Sequence, residues 1–119
     1  MKSQLTALYT ALVLLVCVLF QPVMAQEFKV DGWWIVMAAF KENAANRDES
    51  EAQVRTAAAA CGVEAFNDFS TKFAGFTPGL TVVVSMGAYA SKTKAESALA
   101  KLKPCIPDAY VKKARYAGE

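Results

Sequence analysis

The stretch "CGVEAF" at residues 61–66 returns as "CIPDAY" at residues 105–110. Each is a cysteine, two intervening residues, an acid, an alanine and an aromatic. The likeness extends upstream, where "MAAF" at residues 37–40 has a counterpart in "MGAY" at residues 86–89. From Met37 to Cys61 is 24 positions and from Met86 to Cys105 is 19, the difference falling in the polar stretch "KENAANRD". A similar unit written twice at this scale is the mark of an internal duplication.

What each copy contains follows from its periodicity. "GWWIVMAAF" (32–40) is aromatic and β-branched and predicts a strand, with Trp33, Ile35 and Met37 on one side and Trp34, Val36 and Ala38 on the other. "DESEAQVRTAAAACG" (48–62) predicts a helix. Asp48 and Glu51 form a capping box, Val54, Ala57, Ala58 and Cys61 make the apolar stripe, and Gly62 is the left-handed stop. "VEAFNDF" predicts the next strand, and "STKFAGFTPG" a turn-rich connection.

The second copy follows the same plan. "LTVVVSMGAY" alternates, with Leu80, Val82, Val84 and Met86 opposite Thr81, Val83 and Ser85. "SKTKAESALAKLKP" is a helix capped by Ser91, striped by Ala95, Ala98, Leu99 and Leu102 and stopped by Pro104. "DAYVKKARY" closes the chain as a strand whose parity is ambiguous. The order β-α-β-β-α-β predicts an α+β, ferredoxin-like fold: a four-stranded antiparallel sheet with two helices on one face.

The first 25 residues have a different character. Lys2, the uncharged apolar run "LTALYTALVLLVCVLF" and "QPVMA", with small residues at Val23 and Ala25, form a secretory signal-peptide pattern. The run is shorter than the roughly 20 residues of a spanning helix. The expected organisation is a signal peptide at 1–25, a short linker at 26–31 and one domain at 32–119, placed in the periplasm or secreted. Removing the leader leaves 12 basic and 11 acidic residues. That near-neutral balance gives no electrostatic case for nucleic acid.

The chain has no histidine, so the commonest general base and zinc ligand are absent. No nucleophile-and-base set, phosphate loop or metal spacing appears, and neither an enzyme, a cofactor nor a metal is expected. Glu42, Asp48, Glu49 and Glu51 suit the positive end of a helix dipole. Lys112, Lys113 and Arg115 read as a solvated strand edge. A surface remains: with helices on one side, a tryptophan of the first strand faces the other side, where it can stack on a sugar unless the linker or the "FAGF" loop folds over it.

The second copy resembles the SPOR domain, the sporulation-related repeat. That family shows a strand ending in Gly-Pro-aromatic, a short Ala/Ser link and a helix opening on a basic-x-Ala-Glu-type run. Here the matching residues are Gly87, Ala88 and Tyr89, then Ala90 and Ser91, then Lys94, Ala95 and Glu96. The resemblance spans nearly all of residues 32–116. It implies a non-catalytic, exported module of the cell envelope, linked to cell division, that binds peptidoglycan glycan strands through an open sheet face. Trp34, Val36, Val83, Ser85, Tyr110 and Lys112 are the candidate contacts. Family members often carry Gln and Ser where this chain has Val36 and Ala39, which removes two sugar hydrogen bonds. This departure motivates an alternative, a periplasmic protein-interaction or inhibitor module with cell-envelope proteins as partners and without glycan binding.

The two mature cysteines of an exported chain suggest a disulfide. The duplication predicts otherwise. Helices related by a two-fold axis run antiparallel and put their C-terminal cysteines at opposite ends of a layer roughly 20 Å long, whereas a bridge needs Cα atoms within about 7 Å. Cys61 and Cys105 are therefore expected to be unbonded buried plugs.

Overall fold

The computed structural model describes residues 28–118. The leader at 1–25, Cys17 and the first two linker residues lie outside the described residues. The elements are β1 (Asp31–Lys41), α1 (Arg47–Ala60), β2 (Ala65–Phe69), a single 3-10 turn (Ser70–Lys72), β3 (Phe73–Ala74), β4 (Leu80–Ser85), α2 (Lys92–Leu102) and β5 (Tyr110–Tyr116). The fold is α+β, with five strands in one antiparallel sheet ordered β2-β4-β1-β5-β3. The sheet expected to have four strands has a fifth, because the turn-rich connection contributes Phe73 and Ala74 as partners of Tyr116 and Arg115.

Both helices pack on one face, where Ile35, Met37 and Val83 meet Val54, Ala57 and Ala58 of α1 and Ala98, Leu99 and Leu102 of α2. These are the stripes that the helical period places together. Ser91 caps α2 as expected, its Oγ accepting from Lys94 N at 3.2 Å. The start of α1 differs from the expected capping box. Its N-cap is Asn46, in the left-handed region at φ 57° and with no side-chain cap bond. Glu51 is instead buried beneath the helix, accepting from Thr81 Oγ1 at 2.8 Å and pairing with Arg47 at 3.3 Å. A carboxylate buried there persists because both partners reach it.

β1 carries a bulge. Val36 pairs with Val84 but Ala38 pairs with Val83, leaving Met37 as the extra residue. Alternation therefore reverses: Ala38 and Phe40 join the helix-side core, and Ala39 takes the opposite face, exposed. Ala38, expected beside Trp34 and Val36, is on the other side for this reason.

The expectation of unbonded cysteines is wrong: Cys61 and Cys105 form a disulfide, with Cα atoms 6.1 Å apart. The helices do not lie side by side along their length. β4 pairs with the second half of β1, from Val36 to Lys41, and β5 with the first half, from Asp31 to Val36. The two halves are thus staggered, and the helix C-terminal ends converge over the middle of β1. Phe66 pairs with Val84, Val84 with Val36, and Val36 with Tyr110. The closing aromatic residues of both hexads thus lie in one row across the sheet. Each cysteine stands five residues before that row, and the two meet.

Candidate functional site

The second face of the sheet follows from the route of residues 70–79. β2 and β3 lie at opposite edges of the sheet, yet only the three-residue turn joins them. So short a link requires the sheet to curl until its edges approach each other. The seam is fastened by two contacts: Tyr116 Oη donates to Asp68 Oδ2, and Ala117 N donates to Lys72 O at 2.8 Å. On the β2 side, Lys72 Nζ lies 3.2 Å from Asp68 Oδ1, four residues before it. Partial burial pushes the Asp68 carboxyl up, but it is outweighed by the hydrogen bonds from Tyr116, Phe69 N–H and Lys72 and by the Lys72 charge, which hold it below its ordinary value.

Within the curl the face is filled. Trp34, Val36, Phe73, Val82, Val84 and Ala114 form a second core, flanked by Phe66, Phe76, Ala88 and Tyr116. Trp34 has no exposed surface, and its Nε1 donates to Ala114 O at 3.0 Å. Phe73 stands edge-on to Trp34 with ring centres 5.1 Å apart, stacks on Phe76 at 4.8 Å and lies 4.6 Å from Tyr116. A buried tryptophan that satisfies its N–H and meets aromatic edges is a core residue by every energetic criterion.

The six proposed contact residues therefore separate. Trp34 and Val36 lie on the predicted face but inside the aromatic core. Val83 lies on the opposite face, in the helix-side core with Ile35 and Met37. Ser85, of the same parity as Val83, is buried and its hydroxyl is used internally, accepting from Ile35 N at 3.1 Å and donating to Gly87 O at 3.0 Å. None of these four presents a surface to a ligand. Tyr110 and Lys112 are different. The pairing of β5 puts them on the Trp34 side, Tyr110 is 49% exposed, and Lys112 Nζ lies 5.9 Å from the Phe76 ring centre. That ambiguous parity is now resolved: Tyr110, Lys112, Ala114 and Tyr116 share the inner side, while Val111 packs with the helices.

A surface feature outside the six is a groove of about 460 Å³ at one mouth of the aromatic core. It is lined chiefly by Phe28, Val30, Phe66, Met86, Tyr116 and Ala117. Phe28, Val30 and Met86 are respectively 43, 43 and 55% exposed. The segment leading into β1 is held here by Ala88 N donating to Lys29 O and Tyr116 N donating to Val30 O, both at 2.8 Å. Exposed apolar side chains gathered in one concavity mark contact sites more often than scattered ones do. The phenylalanines of "FAGF" and Phe66 were the available sequence signal, since turn-rich segments seldom carry so many rings without burying them.

Among the described residues no group of three or more Cys, Asp or Glu side chains is placed to hold a metal ion. No described helix is long and apolar enough to cross a membrane. Comparison of the chain with protein-family models, with curated proteins and with solved structures returns no match.

Proposed function

We propose that this protein is an exported, non-catalytic interaction module of the cell envelope whose partner is another protein. On this reading the module is a ferredoxin-like one enlarged at an edge, which the five-strand order β2-β4-β1-β5-β3 supports. The observation that carries this reading is the filled second face: with Trp34 enclosed, the sheet has no open platform for a glycan strand. The groove of Phe28, Val30 and Met86 is instead suited to two or three apolar side chains of a protein partner. The disulfide supports export, because such bonds persist in oxidising compartments. A photoreactive amino acid at position 30, in the protein expressed in its host, should crosslink to one protein, and Met86→Glu should abolish that crosslink. Co-sedimentation with sacculi in the absence of any such crosslink would defeat the reading.

A second reading keeps the glycan and moves it to the surface. Tyr110, half exposed, and Lys112, beside the Phe76 ring, form an aromatic and cationic edge that suits the apolar face of a sugar. In this reading the SPOR-like motif marks a module that binds stripped peptidoglycan strands. Retention on amidase-treated sacculi, reduced at least tenfold by Tyr110→Ala, supports it. Equal binding of Tyr110→Ala and the parent protein dismisses it.

A further inference from the structure

The strands of the two halves of the chain are interleaved in the sheet. The first half supplies β1, α1 and β2, and the second supplies β4, α2 and β5. In the order β2-β4-β1-β5, every neighbouring pair joins a strand of one half to a strand of the other. β1 and β2 are separated by β4, and β4 and β5 by β1. The β1–β5 pairing joins residues about 80 positions apart, as in Asp31 with Arg115 and Val36 with Tyr110. Non-local pairings of this kind yield no gain until the loop-closure entropy has been met. The Cys61–Cys105 disulfide ties one half to the other at the level where both enter the sheet, and it is the covalent cross-link between them among the described residues.

We propose that this disulfide is a redox switch for folding. Reduction lowers the folded-to-unfolded ratio about a thousandfold, and oxidation commits the chain to the interleaved sheet. Formation of the bond removes two protons and two electrons from the thiols of Cys61 and Cys105. These pass to a disulfide oxidant, such as glutathione disulfide or an oxidised protein dithiol, which leaves as two thiols. The bond closes a loop spanning 44 positions. Chain-entropy theory assigns such a loop about 4 kcal/mol, a fall of roughly a thousandfold in the folded-to-unfolded ratio when it is opened. A chain reduced before export thereby has a weakened fold and opens for translocation far more often than the oxidised one. This inference is independent of which partner the module binds.

The experiment is equilibrium urea unfolding of the oxidised exported protein and of the same protein held reduced, followed by Trp fluorescence and repeated in glutathione buffers of graded potential. The expected result is a roughly thousandfold lower folded-to-unfolded ratio on reduction, or an unfolded reduced chain, with the native signal returning on reoxidation. The Cys61→Ser/Cys105→Ser variant should match the reduced protein. A reduced protein whose ratio stays within fivefold of the oxidised one, or a native signal that does not return with the bond, overturns the proposal.

Discussion

Phe73→Ala probes the part of the structure where the closed sheet differs most from an open one. Phe73 is 2% exposed and lies against Trp34, Phe76 and Tyr116, with ring centres within 5.1 Å of its own. Truncating a buried phenylalanine costs about 3–5 kcal/mol, because the lost transfer energy is joined by a residual cavity. The backbone of β3 spans two residues and pairs with Tyr116 and Arg115 alone, so it has little else to hold it against β5 once the ring is gone. The upper part of that range therefore applies, about 4–5 kcal/mol. For a domain of this size each kcal/mol shifts Tm by about 4–8 °C, so a fall of at least 16 °C is expected. Urea unfolding monitored by Trp emission in a Trp33→Phe background gives the free energy, and its red shift reports hydration of the Trp34 indole. A loss below 1 kcal/mol with unchanged emission would mean that Phe73 does not seal the sheet, and the curled architecture would be wrong.

Three further outcomes follow from the same geometry. The folded-state pKa of Asp68 is depressed, so its contribution to stability is fully present above the ordinary carboxylate value near pH 4 and is lost as pH falls through the lower folded value. Tyr116→Phe keeps the ring and removes the donor to Asp68, so it should cost about 1 kcal/mol at pH 7 and lessen the loss of stability on acidification, measured by urea midpoints from pH 6 to pH 2.5. Glu51→Ala leaves the buried Thr81 hydroxyl and the Arg47 guanidinium without their shared partner, and should cost about 2 kcal/mol by chemical denaturation, with Glu51→Gln recovering part of it. Val83→Ser should destabilise the domain by about 2 kcal/mol while leaving any glycan retention of the folded fraction unchanged, because Val83 packs under the helices.

Much of the architecture was legible because its signals are local. The stripes of Val54, Ala57 and Ala58 and of Ala95, Ala98, Leu99 and Leu102 pointed at the sheet, and Ser91 capped its helix as its chemistry directs. The failures lie where a distant strand decides. Met37 looks like any alternating strand residue, yet the pairing with β4 makes it a bulge that turns Ala38 toward the helices. Val83 and Val36 are both valines in good strands, and only the register shows that they face apart. The disulfide is not legible in the duplication, which carries no information on how the two halves are offset. The hexads were informative about like halves, but not about the stagger along β1 that brings their cysteines together. The site suffered most, because whether an aromatic strand face is open depends on where Phe73 and Phe76 go. No local period specifies a three-residue turn that crosses from one sheet edge to the other.

The filled face is tested most directly by hydrogen exchange at the two indole N–H groups. Trp34 Nε1 is bonded to Ala114 O inside the aromatic core, whereas Trp33 is half-buried beside Lys92 on the helix side. In NMR spectra of the oxidised protein the Trp34 indole proton should exchange at least a hundredfold more slowly than that of Trp33. Its rate should approach that of global unfolding. Exchange of both indoles at the same fast rate, with Trp34 open to an added soluble quencher, would contradict the closed sheet and restore the open platform.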